Sequence, residues 1–322
     1  MSRIGLFKTI NICRHFFQNK GFLETPTPPL VENPGMEAHL HPFKIKSVNK
    51  NKELPMYLHT SPEFYMKELL SEGFQKIFNI GWCFRDEPSS ITHRNQFLML
   101  EWYRAESNYN EILNDTKELI LKTHQELKRD KFPTIPTLNF QKTTVQELFI
   151  KNLNFDILQF LDTNRIEQYI VDNFPDLLKE KPFVQWPWED YFYLLFLNKI
   201  EPLFKKIPFL VVDEFPAPLA ALSTIKPGNP KVCERFEVYL QGIEICNCFN
   251  ELTDITIQKK RMRDEAEKKS KLYKYELPEP NTLYNALEKG IPPSAGIALG
   301  IERLYMGLMT NPEGTQAFFT PE

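Results

Sequence analysis

The stretch that decides the fold covers residues 84–103 and reads FRDEPSSITHRNQFLMLEWY. An apolar run that includes Ile77 and Ile80 leads into it and predicts a buried strand ending at Phe-Arg-Asp-Glu. Pro88 and the two serines after it indicate a turn within a polar segment. Residues 96–103 are mostly apolar and predict a returning strand. The sequence therefore predicts a long hairpin with a polar loop.

This hairpin carries basic side chains near its loop, with Arg85 on the first strand and His93 and Arg94 in the loop. Cations held on rigid strands at the mouth of a loop suit a polyphosphate. Phe97 begins the returning strand and can offer a flat face to a nucleotide base. An ordinary hairpin with a salt-bridged loop explains Arg85 and Glu87 equally well, so these residues alone leave the choice open.

Composition narrows the class of protein. The 322 residues are 42% hydrophobic, enough for a large core, and the length allows one or two domains. A net charge of -3 gives no general basic field for nucleic acid. Five scattered cysteines favour a reducing compartment, and Cys246 with Cys248 is a weak indication of a metal. Without a bilayer-spanning run or a signal peptide, we expect a cytoplasmic protein with no membrane contact.

Helices and strands can be predicted through the first part of the chain. Residues 3–20 carry apolar side chains at three- and four-residue steps and predict an amphipathic helix ending at Gly21. Prolines that include Pro28 then stop a short strand. We interpret residues 39–48 and 54–60 as strands. His39 and His41 alternate with apolar residues, so we interpret them as polar members of a strand face rather than metal ligands.

The segment Thr60-Ser61-Pro62-Glu63 predicts the start of a helix. Thr60 or Ser61 can cap it, Pro62 suits its first turn, and Glu63 favours the positive end of the helix dipole. This local explanation is sufficient, although a carboxylate is also an apt partner for an ammonium group. Further on, the apolar stripe of residues 109–127 predicts a helix packed on the core.

Prolines break residues 131–208 into short segments, which we interpret as an insertion of small helices. Two strands then follow, residues 233–240 and 243–249, joined by a turn at Gln241-Gly242. Residues 254–274 predict a charged helix with a solvated face, which Asp254 can cap.

The second hairpin carries Glu237 and Glu244 on adjacent strands. Carboxylates that face each other repel unless a cation lies between them. They could instead point to opposite faces or pair with an arginine such as Arg235, and the sequence leaves both alternatives open.

Three segments together resemble the motifs of class II aminoacyl-tRNA synthetases. The region of Pro28 resembles motif 1, the dimer interface of that family, and residues 84–103 resemble motif 2 in its lysyl branch. Residues 294–304, SAGIALGIERL, resemble motif 3, G-x-G-x-[DE]-R, with Ala298 replacing the first glycine. Small residues there allow a ligand to approach the backbone. The resemblance implies an α+β catalytic fold over residues 1–322, with a mixed, mainly antiparallel sheet flanked by helices.

Within this class, the chain is similar to the elongation factor P lysyltransferase family, a catalytic-domain relative of lysyl-tRNA synthetase. Ala298 supports this similarity, as does the lack of the N-terminal OB-fold domain that grips the anticodon. The implied reaction activates lysine or (R)-β-lysine with ATP as an aminoacyl-adenylate. The acyl group then passes to a lysine side chain of elongation factor P, without tRNA. The resemblance also implies a homodimer formed through motif 1.

For ATP and Mg²⁺, the resemblance implies a set of contacts. Arg85 meets the α-phosphate and the carboxylate, Phe97 stacks on the adenine, and Arg303 packs on its other face or reaches the γ-phosphate. Arg85 and Arg303 are the expected catalytic residues, because positioning and charge neutralisation dominate such transfers. Glu237 and Glu244 are the implied Mg²⁺ ligands. The implied ATP-binding residues are Arg85, Asp86, Glu87, His93, Arg94, Phe97, Glu244, Ile245, Gly300 and Arg303.

For the amino acid, the resemblance implies that Glu63 and Glu251 meet its two ammonium groups, with Glu101 supporting them. The chain departs from the family at residues 93–97, where His-Arg-Asn-Gln-Phe replaces His-Asn-Pro-Glu-Phe, and at Cys248, which replaces a glycine. The implied substrate-binding residues are Ser61, Pro62, Glu63, Glu101, Tyr103, Asn247, Phe249, Glu251 and Ala298.

Two alternatives remain open at this point. One is a free-standing amino-acid:AMP ligase that acts on another protein or on a small-molecule acceptor. The other is a non-catalytic paralogue that binds ATP or lysine as a regulatory subunit. The presence of Arg85, Glu237, Glu244 and Arg303 favours an enzyme, since a non-catalytic paralogue would be free to lose them.

Overall fold

The computed structural model describes residues 2–46, 56–179, 185–315 and 317–318. The chain forms two compact units, one combining Met1–Ile135 with Asn250–Glu322 and the other comprising Pro136–Phe249. We call them unit 1 and unit 2. Among the described residues, every helix is too short or too polar to cross a bilayer.

The regular elements are numbered in chain order. The strands are β1 (Leu23–Glu24), β2 (Leu30–Val31), β3 (Lys44–Ile45), β4 (Met56–Leu58), β5 (Lys76–Phe84), β6 (Gln96–Ala105), β7 (Phe140–Thr144), β8 (Phe209–Asp213), β9 (Arg235–Leu240), β10 (Ile243–Asn250) and β11 (Ser294–Gly300). The α-helices are α1 (Ser2–Asn19), α2 (Glu63–Ser71), α3 (Tyr109–Arg129), α4 (Val145–Leu153), α5 (Thr163–Asn173), α6 (Trp188–Leu195), α7 (Ile255–Tyr273), α8 (Asn281–Lys289) and α9 (Ile301–Leu308).

In unit 1, β5 and β6 form the predicted hairpin, and β11 pairs antiparallel with β6. β1 runs parallel to β5 on the other side. Phe78 and Trp102 lie opposite each other on one face, where the ring of Phe17 from α1 packs 5.3 Å and 4.8 Å from theirs. Because side chains alternate along a strand, Glu101 and Tyr103 point to the opposite face. Helix α1 therefore covers one face of the hairpin, and the candidate site lies on the other.

In unit 2, β9 pairs antiparallel with β8 and β10, and β7 runs parallel to β8. The prediction of small helices is matched by α4, α5 and α6, but the same segment also contains β7. Trp188 and Phe192 of α6 stack with Phe196, the residue that follows this helix, and successive ring centroids lie 5.5 Å and 5.4 Å apart. Gln241 and Gly242 have φ of 50° and 81°, as a two-residue hairpin turn requires.

The prediction that His39 and His41 lie in a strand is wrong. Both residues lie in irregular chain before β3, and their Nδ1 atoms are each 2.8 Å from the hydroxyl of Tyr273 and Tyr275, respectively. Pro42 cannot donate to a strand ladder, and the tyrosine contacts hold the segment in another conformation. The predicted strands also included residues 47, 48, 54 and 55, which lie outside the described residues.

Candidate active site

Arg85 follows β5 directly, and hydrogen bonds to Asn95 hold the base of the motif 2 loop. The backbone N–H of Arg85 donates to the carbonyl of Asn95 at 2.9 Å. The side-chain Nδ2 of Asn95 donates to the backbone carbonyls of Arg85 and Glu87 at 2.9 Å and 2.8 Å. The guanidinium of Arg85 lies 5.2 Å from the centroid of the Phe97 ring. The loop thus brings together the cation and the aromatic ring that the sequence predicted.

Two polar atoms of this region are buried without a hydrogen-bond partner among the described residues, Nε of Arg85 and Oε1 of Glu87. A buried donor and a buried acceptor left without partners are costly. A phosphate oxygen would satisfy the first, and an exocyclic amino group of a base would satisfy the second. The two unsatisfied atoms therefore suit a bound nucleoside triphosphate.

The loop between the strands is a compact turn around His93. Nδ1 of His93 lies 2.9 Å from Ser90 Oγ and 3.2 Å from Thr92 Oγ1. Burial, followed by the charges of Arg303 and Arg85, lowers the pKa of His93 to about 4. His93 is therefore neutral at pH 7 and not one of the loop's cations.

Two other basic residues of this region, Arg303 and Arg94, contact nearby segments of the same chain. Arg303 on α9 donates from Nε to the carbonyl of Thr92 at 3.1 Å, which ties motif 3 to the loop of motif 2. Arg94 donates to the carbonyl of His93 at 2.8 Å, and its guanidinium lies 5.0 Å from the Phe318 ring. The structure therefore places Arg303 beside the loop and directs Arg94 toward Phe318.

The acid of motif 3 has a role that the sequence did not reveal. Glu302 is 1% exposed, and its two carboxylate oxygens lie 2.9 Å and 3.0 Å from the N–H of Leu98, which donates to them. The pairing of β11 with β6 ends at Gly300 opposite Met99, so the next N–H of β6 has no partner on β11. Glu302 replaces the missing ladder acceptor and fixes motif 3 to motif 2.

Glu101 is the buried centre of the candidate amino-acid pocket. Ser61 Oγ donates to its Oε1 at 2.5 Å, and Tyr103 Oη donates to its Oε2 at 3.3 Å. Burial, followed by the charge of Glu63, raises the pKa of Glu101 to about 8. Helix α2 begins at Glu63, and its N-cap position is Pro62, which offers no side-chain cap. Ser61, one of the two predicted caps, lies one residue earlier, and its Oγ accepts from the Glu63 N–H at 3.1 Å.

A lysine that the sequence reasoning overlooked joins the two carboxylates predicted to bind the substrate. Lys67 Nζ lies 2.6 Å from Glu63 Oε1 and 2.6 Å from Glu251 Oε2, and its side chain is 2% exposed. Burial raises the pKa of Glu251 to about 7, although the ammonium of Lys67 opposes this shift. The i,i+4 spacing of Glu63 and Lys67 was the available signal, because such residues share a helix face.

The floor of this pocket depends on Gly296 of β11. A Cβ atom at this position would lie 2.1 Å from a ring carbon of Tyr103 and 2.8 Å from Glu251 Oε1. Ala298 lies two residues further on, directly opposite Glu101. Side chains of directly opposed residues share a face, so Ala298 lies on the same face of the sheet as Glu101. Gly296 was missed because its need for space arises only from packing.

In unit 2, the strand register resolves the question of Glu237 and Glu244. Glu244 lies opposite Tyr239, and after a bulge Asn247 lies opposite Glu237. All four side chains therefore lie on one face of the hairpin. Glu237 is also paired with an arginine, since Arg235 donates to it at 2.6 Å.

The pair of carboxylates has the charge and ligand type of a divalent-cation site, and Glu237 also accepts from Arg235 at 2.6 Å and from Tyr239 at 2.5 Å. Burial, followed by the negative charge of Glu244, raises the pKa of Glu237 to about 7 despite Arg235. A cation between them would relieve this repulsion, and carboxylate oxygens are the ligands that Mg²⁺ prefers. Among the described residues, larger groups of His, Cys, Asp and Glu suited to a metal do not occur. A cation here would complete its shell with oxygens from another source.

The remaining predicted site residues are also placed by the structure. Asn247 Oδ1 accepts from Arg235 Nε at 3.1 Å, and the ring of Phe249 lies 5.7 Å from the Arg235 guanidinium. Ile245 is buried at the bulge. In unit 1, the Asp86 N–H donates to the carbonyl of His41 at 2.7 Å.

Comparison with known proteins agrees with this geometry. The model of class II tRNA synthetases (D, K and N) matches residues 6–319. The chain therefore belongs to the class II tRNA synthetase family, which confirms the α+β fold that the three motifs predicted.

Curated relatives narrow the assignment. The chain is 32% identical over 311 residues to the elongation factor P–(R)-β-lysine ligase of Hamiltonella defensa subsp. Acyrthosiphon pisum, covering 95% of this chain and 89% of that protein. The ligase of the same name from Edwardsiella ictaluri is 32% identical over 308 residues, with the same coverage. That of Erwinia tasmaniensis is 32% identical over 295 residues, covering 91% of this chain and 86% of the relative. The chain belongs to the family of elongation factor P–(R)-β-lysine ligases.

Proposed function

We propose that this protein activates (R)-β-lysine or lysine with ATP and transfers the acyl group to a lysine side chain of elongation factor P. The observation that carries the proposal is a set of three carboxylates beside the motif 2 and motif 3 strands, with Glu101 and Glu251 buried and the Glu63 side chain 13% exposed. Buried carboxylates need cationic partners, and a diamino acid supplies two. The names of the curated relatives support the same substrate and acceptor.

In the first step, an oxygen of the substrate carboxylate attacks the α-phosphorus of ATP, and pyrophosphate leaves. Arg85, whose Nε has no protein partner among the described residues, would bind the substrate carboxylate and the α-phosphate. Glu87 and Phe97 would hold the adenine, and Arg303 would bind at the phosphate side of the loop. Their fixed positions supply orientation and charge neutralisation.

In the second step, the neutral amine of the acceptor lysine attacks the acyl carbon of the adenylate. An amide bond forms, AMP leaves with the bonding electrons, and the amine releases one proton. Glu237 and Glu244 would hold Mg²⁺, which when bound neutralises charge on the phosphate oxygens. We further propose a cytoplasmic homodimer that forms through motif 1 and does not aminoacylate tRNA.

The test is ATP–pyrophosphate exchange with α-lysine and (R)-β-lysine, followed by acyl transfer to purified elongation factor P. We expect exchange with at least one isomer and a mass increase of the acceptor by one acyl group. Exchange without transfer to elongation factor P would indicate a ligase for another acceptor. Efficient charging of lysine tRNA would contradict the proposal that tRNA is not a substrate.

The metal role can be tested separately. Glu244→Gln should abolish exchange while the thermal unfolding midpoint stays close to wild type. Asp176→Asn is the matched control, because Asp176 is an exposed acid of the same unit whose ion pair with Lys179 lies at the surface. Full exchange by the Glu244 variant would remove it from the metal site.

A further inference from the structure

Lys67 is a buried ammonium inside the amino-acid pocket, and the reaction described above gives it no task. It lies one turn after Glu63 on α2, so both side chains share a face of that helix. Its Nζ stands 2.6 Å from a carboxylate oxygen of Glu63 and 2.6 Å from one of Glu251. One side chain of α2 therefore connects two acids that are far apart in the sequence.

Lys67 sets the net charge of the amino-acid pocket. Glu63, Glu101 and Glu251 contribute three carboxylates and Lys67 one ammonium, so three negative charges and one positive leave two negative charges when all are ionised. A diamino acid brings two ammonium groups, while its carboxylate is assigned to Arg85. A monoamino acid would leave one buried carboxylate without a partner, which is costly.

The hydrogen-bond geometry adds a second observation. Lys67 donates a hydrogen bond to Glu63 at 2.6 Å. Glu251 Oε2 is equally near and also buried, so the same ammonium group forms an ion pair with it. Lys67 therefore stands between both carboxylates and fixes their separation.

We propose that Lys67 is a positioning and specificity-determining residue. It holds Glu63 and Glu251 at a fixed separation and reduces the charge of the fully ionised pocket to the value that two ammonium groups neutralise. This inference rests on the proposed activation of a lysine-type amino acid, because it assigns the pocket to a doubly charged substrate.

Lys67→Met tests the charge, since methionine has a similar length and no ammonium group. The KM for lysine or β-lysine in pyrophosphate exchange should rise roughly 30-fold, or about 2 kcal/mol at 1.4 kcal/mol per tenfold, because one partner of a buried charge pair is lost. The KM for ATP should change by less than about threefold, since Lys67 positions the carboxylates assigned to the amino acid and not those assigned to ATP. The control is Lys289→Met, which removes a surface ion pair with Glu72 at the end of the same helix.

A rescue experiment separates charge from volume and also applies if Lys67→Met does not fold. In Lys67→Ala, propylammonium added to the buffer replaces the missing carbons and the ammonium group. It should restore the low KM for the amino acid, whereas 1-propanol, of similar size and uncharged, should not. Calorimetric binding of lysine to the same variant, with and without propylammonium, gives a readout independent of turnover.

The outcomes are distinguishable. An unchanged amino-acid KM in folded Lys67→Met, or equal rescue by 1-propanol and propylammonium, overturns the role of Lys67 and leaves the proposed function intact. A folded wild type that neither binds nor activates either isomer overturns the proposed function and this inference together.

Discussion

Gly296→Ala tests whether the amino-acid pocket depends on the close packing of β11 against Tyr103. An ordinary contact needs at least 3.4 Å, so the ring carbon at 2.1 Å must retreat by about 1.3 Å. Tyr103 is 3% exposed and cannot swing into solvent, and the added methyl group would also lie 2.8 Å from Glu251 Oε1. Overpacking of this kind costs about 1–3 kcal/mol of folding stability.

The larger effect should be on catalysis. A displacement of about 1 Å in a positioning group lowers activity by roughly 100-fold, so we expect a loss of that size in kcat/KM for the amino acid. Pyrophosphate exchange at varied amino-acid concentration measures it, and urea unfolding measures stability. Gly300→Ala is the stability control on the same strand, because its Cβ would lie at an ordinary 3.5 Å from Arg303. Wild-type exchange by a folded Gly296→Ala variant would refute the packing argument.

Three further predictions concern the same unit. Burial, with like charge adding, raises the pKa of Glu101 to about 8 and of Glu251 to about 7, so the free protein holds protons there near pH 7. A dication favours the ionised forms, so binding should release protons and affinity should rise from pH 6 to pH 8; calorimetry in buffers of different ionisation enthalpy would show no difference if this is wrong. Because the pKa values of these carboxyls are raised on folding, they stabilise the free protein at low pH, and this contribution is lost as the pH rises through their folded pKa values. Glu302→Ala leaves the Leu98 N–H without its acceptor and should cost about 1–3 kcal/mol in urea unfolding, and an unchanged midpoint would contradict that role. Ala298→Gly should shift the ratio of pyrophosphate exchange toward α-lysine by about 10–200-fold, the value of one methyl group, and a wild type that already prefers α-lysine would exclude Ala298 as the cause.

Much of the local structure could be predicted from the sequence. The apolar pattern and turn residues around Pro88 gave both strands of the motif 2 hairpin, and Gln241 with Gly242 gave the second hairpin. Helix α7 begins after Asp254, whose carboxylate accepts from two backbone N–H groups as the cap prediction required. These features depend on neighbours in the chain, and propensity, capping and turn chemistry are local properties.

The sequence interpretation failed where a local pattern competed with distant contacts. His39 and His41 alternate with apolar residues as in a strand, yet the hydroxyls of Tyr273 and Tyr275 bind their rings. That contact spans 234 positions in the chain, and periodicity carries no information about such a partner.

By itself, the sequence determined the hairpins, the helix boundaries and the three motifs that placed this chain in its family. Only the tertiary structure decided which charged groups meet inside the pocket and which acid fastens motif 3 to motif 2. Lys67 lies 2.6 Å from Glu251 because the fold of unit 1 brings together residues far apart in the chain, and Glu302 reaches the N–H of Leu98 because β11 stops one residue short of it. The physical reason is that a buried charge selects its partner by proximity in the folded core, where leaving it unpaired is costly, whereas residue order constrains only neighbours along the chain.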